Sequence, residues 1–424
     1  MTFSTAISGI NAANSDLGVI SNNIANASTT GFKTSRAEFA DVYASSLLGA
    51  GGNAIGLGVT LAGVTQEFGQ GNISFTNNPL DLAINGGGFF QLSSDGALEY
   101  TRAGNFQVDS EGFIVSNQNA RLQGFQVDAQ GDVTGQLGDL QIDTSLLDPN
   151  QTSNAIYTTN LDSRDIDLGT GFATNGPYDA FAVPATVPNP ADFNATTSTT
   201  IYDSLGNPHV LSLYYVKTST ANQWEVYSLI DGQSQNAGAP QTLTFTSNGQ
   251  FDPTSATGIT IAGWNPVDDA GAPNGAAPQT FDVDLSNTTQ FGTPFQVSSI
   301  VQDGFAAGQL RGIEIDESGV TFARYTNGES RALGQIALAN FSNVNGLQPV
   351  GDTNWVETFG SGSPNLGEPG TAGLGVVQSA ALEGSNVEIT EQLVDLIVAQ
   401  RNFQANAQVI QANDAITQTV INLR

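Results

Sequence analysis

Apolar positions at the two ends of the chain recur in steps of four and three, whereas those between them alternate or gather in short runs. Phe3, Ile7, Ile10, Asn14, Leu17, Ser21 and Ile24 keep heptad spacing, with Asn14 and Ser21 as polar interruptions. This predicts a helix from about Thr5 to Asn26, roughly 33 Å long, ended by Ser28, Thr29, Thr30 and Gly31. At the far end Ile389, Leu393, Leu396, Gln400, Phe403, Ala407 and Ile410 repeat the alternation. Ile416, Val420 and Leu423 continue it with a shifted phase. Neither Pro nor Gly interrupts residues 385–424. A second helix approaching roughly 50 Å is predicted there, capped by Ser385 or Asn386. Two arrangements fit: a helical hairpin covering a β domain, or a helical pair that completes its burial against other copies of the chain. Asn and Gln away from the apolar stripe favour the second, because uncharged polar faces pack without stacking like charges.

The interior reads as β structure. Leu80, Leu82 and Ile84, then Phe89, Phe90 and Leu92, flank the bend Gly86-Gly87-Gly88. Asp109-Ser110-Glu111-Gly112 and Asp316-Glu317-Ser318-Gly319 are turns between alternating segments. Residues 148–295 are rich in Pro, Asn, Thr and Ala loops, with strands expected at Val210 to Val216, Trp224 to Ile230 and Phe281 to Leu285. The expected fold is mainly β and multidomain, with paired N- and C-terminal α-helices, nested discontinuous domains and an elongated subunit. Residues 1–26 and 379–424 form the helical domain, and 27–75 with 360–378 the linking region. Residues 76–147 with 296–359 form a β domain, and 148–295 an inserted, solvent-facing β domain.

Charge narrows the function. Forty acidic residues face eleven basic ones, a net charge of -29. No Arg/Lys cluster exists to bind nucleic acid or an anionic membrane. The chain has no cysteine, which removes disulfides and thiolate chemistry. No run approaches the roughly 18 apolar residues of a membrane span. The first basic residue is Lys33, so no cleavable secretory signal is expected.

Several motifs then carry a resemblance. Ser21-Asn22-Asn23-Ile24-Ala25-Asn26 and Thr29-Thr30-Gly31-Phe32-Lys33 resemble the N-terminal signature of flagellar rod and hook axial proteins. Leu82-Ala83-Ile84-Asn85-Gly86-Gly87-Gly88-Phe89-Phe90 and Tyr100-Thr101-Arg102-Ala103-Gly104-Asn105-Phe106 resemble their β-domain motifs. Ser379 to Val387, Glu391 to Val394 and Arg401 to Asn406 resemble their C-terminal signature. The large insertion resembles the hook member of the family more than the shorter distal rod members. The resemblance implies a non-enzymatic subunit of the extracellular hook, attached to the basal body and exported without signal cleavage. It implies a helical homopolymer that bends as a universal joint and transmits motor torque. Implied partners are rod proteins, the hook cap, the hook–filament junction protein and the export apparatus. On this reading Phe3, Ile7, Ile10, Leu17, Ile24, Ile389, Leu393, Leu396, Phe403 and Ile410 form the assembly interface. A distal rod protein and a secreted adhesin or carbohydrate-binding β protein are the alternatives.

Enzyme chemistry finds little support. His209 is the one histidine; it is expected at the start of a strand in a surface or structural role, without the neighbours of a triad. No phosphate-binding loop is present. Asp162, Asp165 and Asp167 alternate like calcium ligands but lack a terminal Glu. No cofactor or metal is therefore expected. Arg102 and Arg324, at similar places in the two β halves, are expected either to pair with a nearby acid or to fix a contact between subunits.

Overall fold

The computed structural model describes residues 2–42, 56–128 and 131–422. Part of the expected linking region, 43–55, lies outside the described residues, as do Leu423 and the side chain of Val420. The chain divides into two compact units. One comprises residues 1–144, 311–324 and 330–424, and the other residues 145–310 and 325–329.

In the first unit, helices run over Thr2–Ala25 and Ile389–Asn422. They are antiparallel: Gly9 faces Asn406 and Asn23 meets Gln392, at the same separation along each helix. Strands Ser35–Val42 and Gly58–Gln66 pair antiparallel, with a bulge at Glu38/Phe39, and pack on the N-terminal helix. The expected linking region thus includes a paired hairpin. Its other part, 360–378, is also built into the fold: Val376–Ser379 pairs with Leu82–Asn85, and Val377 is buried. Here carbonyl and amide groups of a glycine-rich segment find partners in the sheet, as buried backbone must.

The β body of this unit joins both halves of the sequence in one sheet. Its main path runs Leu310–Ile315, Val320–Tyr325, Ser330–Ile336, Arg121–Val127, Phe89–Ser94, Ala97–Thr101, Asn354–Val356 and Gln348–Gly351. Phe89, Tyr100, Phe341 and Trp355 fill its core, with edge-on ring contacts such as Tyr100–Phe341 at 4.8 Å. The indole of Trp355 donates to Gln66 Oε1 at 2.6 Å, which ties the end of the long hairpin to the core.

The second unit packs two sheets face to face around Tyr157, Leu213, Tyr215, Trp224 and Phe281. Strand Asn154–Asp162 shows the cause: Ala155, Tyr157, Thr159 and Leu161 alternate into the core, at the two-residue period of a strand. The expected strands appear as Pro208–Lys217, Gln223–Ile230 and Gln279–Asp284. The expected boundary at 295/296 is displaced. Gln296–Gln302 pairs with Asn154–Asp162, so it falls in this unit.

His209 is buried in this unit rather than at its surface. Nδ1 lies 2.6 Å from Asp231 Oδ2, and Nε2 lies 3.3 Å from Asp203 Oδ2. The Asp203 carboxylate also accepts from Asn207 and from Asn274. Burial opposes the imidazolium, but hydrogen bonds to Asp231 and Asp203 outweigh it and hold the ring above its ordinary value. The folded chain therefore binds this proton more tightly than the unfolded one. The resulting stabilisation is complete below the unfolded value of about 6.5 and is lost as pH rises through the folded value. The expected result is a higher melting midpoint for this unit at about pH 6 than at about pH 8.5, a difference abolished in His209→Gln. Tryptophan-detected melting and an NMR titration of the single imidazole check it; an imidazole that titrates below 6.5 in the folded chain contradicts it.

Candidate functional site at the junction of the chain ends

The two terminal helices meet along small and amide side chains. Ala6, Ala13, Ile20 and Asn23 are buried on the N-terminal helix, and Gln392 and Ala399 on the C-terminal one. Asn406 and Asn413 continue the latter seam as half-buried residues at heptad spacing. The helices approach closely at Gly9, where a Cβ would lie 2.6 Å from Asn406 Oδ1.

Below the seam, amide side chains clamp three segments together. Asn23 Nδ2 donates to Ser35 O at 2.7 Å and to Gln392 Oε1 at 2.9 Å. Its Oδ1 accepts from Ser35 N at 3.0 Å. Asn386 repeats the device: its Oδ1 accepts from Thr34 N at 2.7 Å, and its Nδ2 donates to Glu67 O at 2.8 Å. Asn386 therefore ties the hairpin down instead of capping a helix, and the C-terminal helix begins at Ile389. Ser385 does cap a turn, accepting from Val387 N.

Next to this clamp lies a buried ionic cluster. Lys33 Nζ donates to Glu383 Oε1 at 2.7 Å and to Gly69 O at 2.7 Å. Arg102 Nη1 donates to Glu383 Oε2 at 3.1 Å, and its Nη2 to Gly86 O at 2.8 Å. Gly71 N adds a further donor to Glu383 Oε1 at 2.8 Å. The Lys33 and Glu383 side chains are wholly buried, and Arg102 nearly so. Burial pulls the Lys33 ammonium below its ordinary value, and Glu383 works against that. Nζ donates to both acceptors, and the Glu383 charge and hydrogen bond favour the ammonium form. Gly31 closes the site: its φ is +70°, and a Cβ there would lie 2.5 Å from Ala103 N. Its own N–H donates to Glu383 O at 2.8 Å. The N-terminal, β-body and C-terminal motifs named from sequence thus converge here, through Lys33, Arg102 and Glu383.

The expected apolar stripe is divided by the structure. Ile10, Leu17, Ile24, Leu396 and Ile410 are half-buried, whereas Phe3, Ile7, Ile389, Leu393 and Phe403 are exposed. The intramolecular seam instead uses alanine and amide residues with Ile20, and its signal was the seven-residue repeat of Ala6, Ala13 and Ile20. Arg102 and Arg324 do not occupy similar places. Arg102 is in the buried cluster, while Arg324 pairs with Glu314 at the surface. Around Asp162, Asp165 and Asp167, Arg164 pairs with Asp162, and Lys217 Nζ donates to the carbonyls of Ser163 and Asp165. Among the described residues no group of three or more His, Cys, Asp or Glu is placed to hold a metal ion. None of their helices is long and apolar enough to cross a membrane.

Paired chain ends, a β body between them and a long insertion define an axial component of the bacterial flagellum, and four family models agree. Residues 3–33 match the flagella basal body rod protein family, and residues 83–159 the flagellar hook protein FlgE/F/G D1 domain. Residues 160–305 match the flagellar basal body protein FlaE D2 domain, and residues 378–423 the flagellar basal body rod FlgEFG protein C-terminal region. The chain is 38% identical over 432 residues to the flagellar hook protein FlgE of Escherichia coli, covering all of both chains. It is 37% identical over 433 residues to that of Salmonella typhimurium, again covering all of both. To that of Treponema pallidum it is 33% identical over 476 residues, covering 99% of this chain and 98% of the other. The crystal structure of Helicobacter pylori flagellar hook protein FlgE2 shares the fold. It has a TM-score of 0.53 at 16% identity and covers 73% of this chain and 100% of that one. The chain belongs to the flagellar hook protein FlgE family. It is a component of the extracellular flagellum.

Proposed function

We propose that this chain polymerises through its terminal helices into the curved tube of the hook, and that the tube carries motor torque to the filament while bending. The observation that carries the reading is the apolar surface left on the helices. Phe3, Ile7, Ile389, Leu393, Val394 and Ile397 are between 39% and 60% exposed on helices whose mutual seam is made of small residues. Exposed apolar side chains grouped in this way, Phe3 and Ile7 at one end of the helical pair and Ile389 to Ile397 at the other, mark contacts with another molecule. Each fully buried side chain adds about 1.5–3 kcal/mol, and every added copy repeats the gain. The buried Lys33–Glu383–Arg102 cluster and the Asn23 clamp join helices to β body, so load on the helices passes directly to the rest of the unit. The ten expected interface residues, from Phe3 to Ile410, remain the proposed assembly surface, with the helix–helix seam as its support. Rod below, cap during growth and junction protein above are the proposed neighbours, reached after export without signal cleavage.

The test is electron microscopy of flagellar basal structures from cells lacking the gene, restored with the full chain or with a chain cut after Ser385. Rods without hooks in the deletion, curved hooks with the full chain and none with the cut chain are expected. Rods lacking their distal part indicate the distal rod reading. Normal hooks in the deletion overturn both.

A further inference from the structure

The C-terminal helix presents a face that stays exposed among the described residues, and one cation stands on it. At 3.6 residues per turn, Arg401 lies about two and a half turns beyond Gln392, on the side of the helix opposite the seam. Val394, Ile397 and Val398 on the preceding turns are 60%, 56% and 48% exposed, and Ala405 follows on the next turn, also exposed. The N-terminal helix carries no basic residue, and Arg401 is the one on the described C-terminal helix. It takes part in none of the ion pairs among the described residues.

On another side of the same helical pair is a cleft of about 350 Å³. Asp16, Glu391 and Asp395 line it, with Val19 and Val398 as apolar walls. Arg36 stands at the cleft but is already shared between Glu38 and Glu67. Asp16 is half-buried and takes part in no ion pair or hydrogen bond among the described residues. Burial and the neighbouring Asp395 both push its carboxyl up. Two carboxylates held together without a cation between them are complementary to an incoming positive charge. Arg401 stands six residues beyond Asp395 and about 120° away around the helix, and it pairs with neither Asp395 nor Asp16.

We propose that Arg401 of one copy docks into the Asp16–Asp395 cleft of the next copy, with Val394, Ile397 and Val398 packed around the ion pair. The proposal rests on the polymer reading above and deepens it by naming a contact. Donor and acceptor are different surfaces of one molecule, so the contact is head-to-tail and extends into an open helical array when its rotation does not close a ring. It also places a cation where stacking copies of a chain with a net charge of -29 would otherwise bring carboxylates together.

The experiment uses the full chain in flagellated cells lacking their own copy, counting hooks by electron microscopy and assaying the medium for exported, unassembled chain. Arg401→Glu is expected to leave export intact and lower hook number by roughly tenfold or more, as removal of one partner from a desolvated charge pair does. Asp395→Arg is expected to do the same, and the two changes combined to recover hooks. Because Arg401 is exposed, folding is checked by an unchanged melting profile of the purified variant. Normal hook numbers with Arg401→Glu overturn this contact and leave the polymer reading standing. Loss in both single variants without recovery in the combined one overturns the pairing. Absence of hooks with the unaltered chain overturns the polymer reading itself.

Discussion

Glu383→Ala is expected to lower the melting midpoint of the unit built from the two chain ends by on the order of 10 °C. Glu383 accepts from Lys33, Arg102 and Gly71 in a site closed to solvent. Its removal leaves two buried cations facing each other with no counterion. Breaking a buried pair costs about 3–5 kcal/mol because the remaining charge stays desolvated. In a unit of this size each kilocalorie shifts the midpoint by about 2–4 °C. Glu383→Gln keeps an acceptor for Lys33 but loses the charge, so it is expected to fall between the two. Replacing Lys33, Arg102 and Glu383 together with Met, Met and Leu is expected to recover most of the loss, since no charge then remains buried. Scanning calorimetry of the full chain checks all three. The transition of the unit containing residues 145–310 should stay in place throughout. A shift in Glu383→Ala of less than about 2 °C would mean that water reaches the cluster and that its charges are not desolvated.

The cluster also marks the limit of what the sequence discloses. Lys33, Arg102 and Glu383 each stand in a motif that was legible by its residues. Their meeting was not, because Lys33 and Glu383 are 350 positions apart and no local period relates them. Contacts of this range are set by which strands pair, here Ile73–Phe75 with Ala381–Glu383. Turn chemistry was legible for the opposite reason. Asp109 Oδ1 accepts from Glu111 N and Phe113 N, and Asp316 Oδ1 from Val320 N. These bonds close within four residues, so composition alone announces them.

The helices were legible in extent but not in phase. Large apolar residues at heptad spacing are the usual mark of a buried seam, and Phe3, Ile7, Ile389 and Leu393 carry that mark while lying exposed. On the proposed assembly, those large side chains are kept for neighbouring copies. Within one copy, the close approach at Gly9 leaves room for alanine and amide groups only. His209 was placed correctly at the start of a strand, but its burial depends on Asp203 and Asp231 arriving from separate turns. A single residue in a single sequence carries no record of that.

Asn23→Ala is expected to loosen the C-terminal helix without unfolding the β body. The Asn23 amide serves Ser35 O, Ser35 N and Gln392 Oε1 at once, and Asn23 is 1% exposed. Alanine leaves those three groups without this partner, at about 1–3 kcal/mol for each that water cannot reach. Even a partial loss of about 2 kcal/mol raises local opening roughly 30-fold. Amide hydrogen exchange along the first turns of the C-terminal helix should therefore quicken by at least that factor. Exchange in the strands around Trp355, whose core the clamp does not enter, should change little. Asn23→Asp is expected to fall between, because Gln392 can turn its amide to donate while Ser35 O stays unserved. If exchange in the helix is unchanged in Asn23→Ala, the small-residue seam holds the helices by itself and the clamp contributes only to the hairpin. If it quickens while hook number also falls, the stiffness of the monomer's helical pair is part of what each added copy recognises.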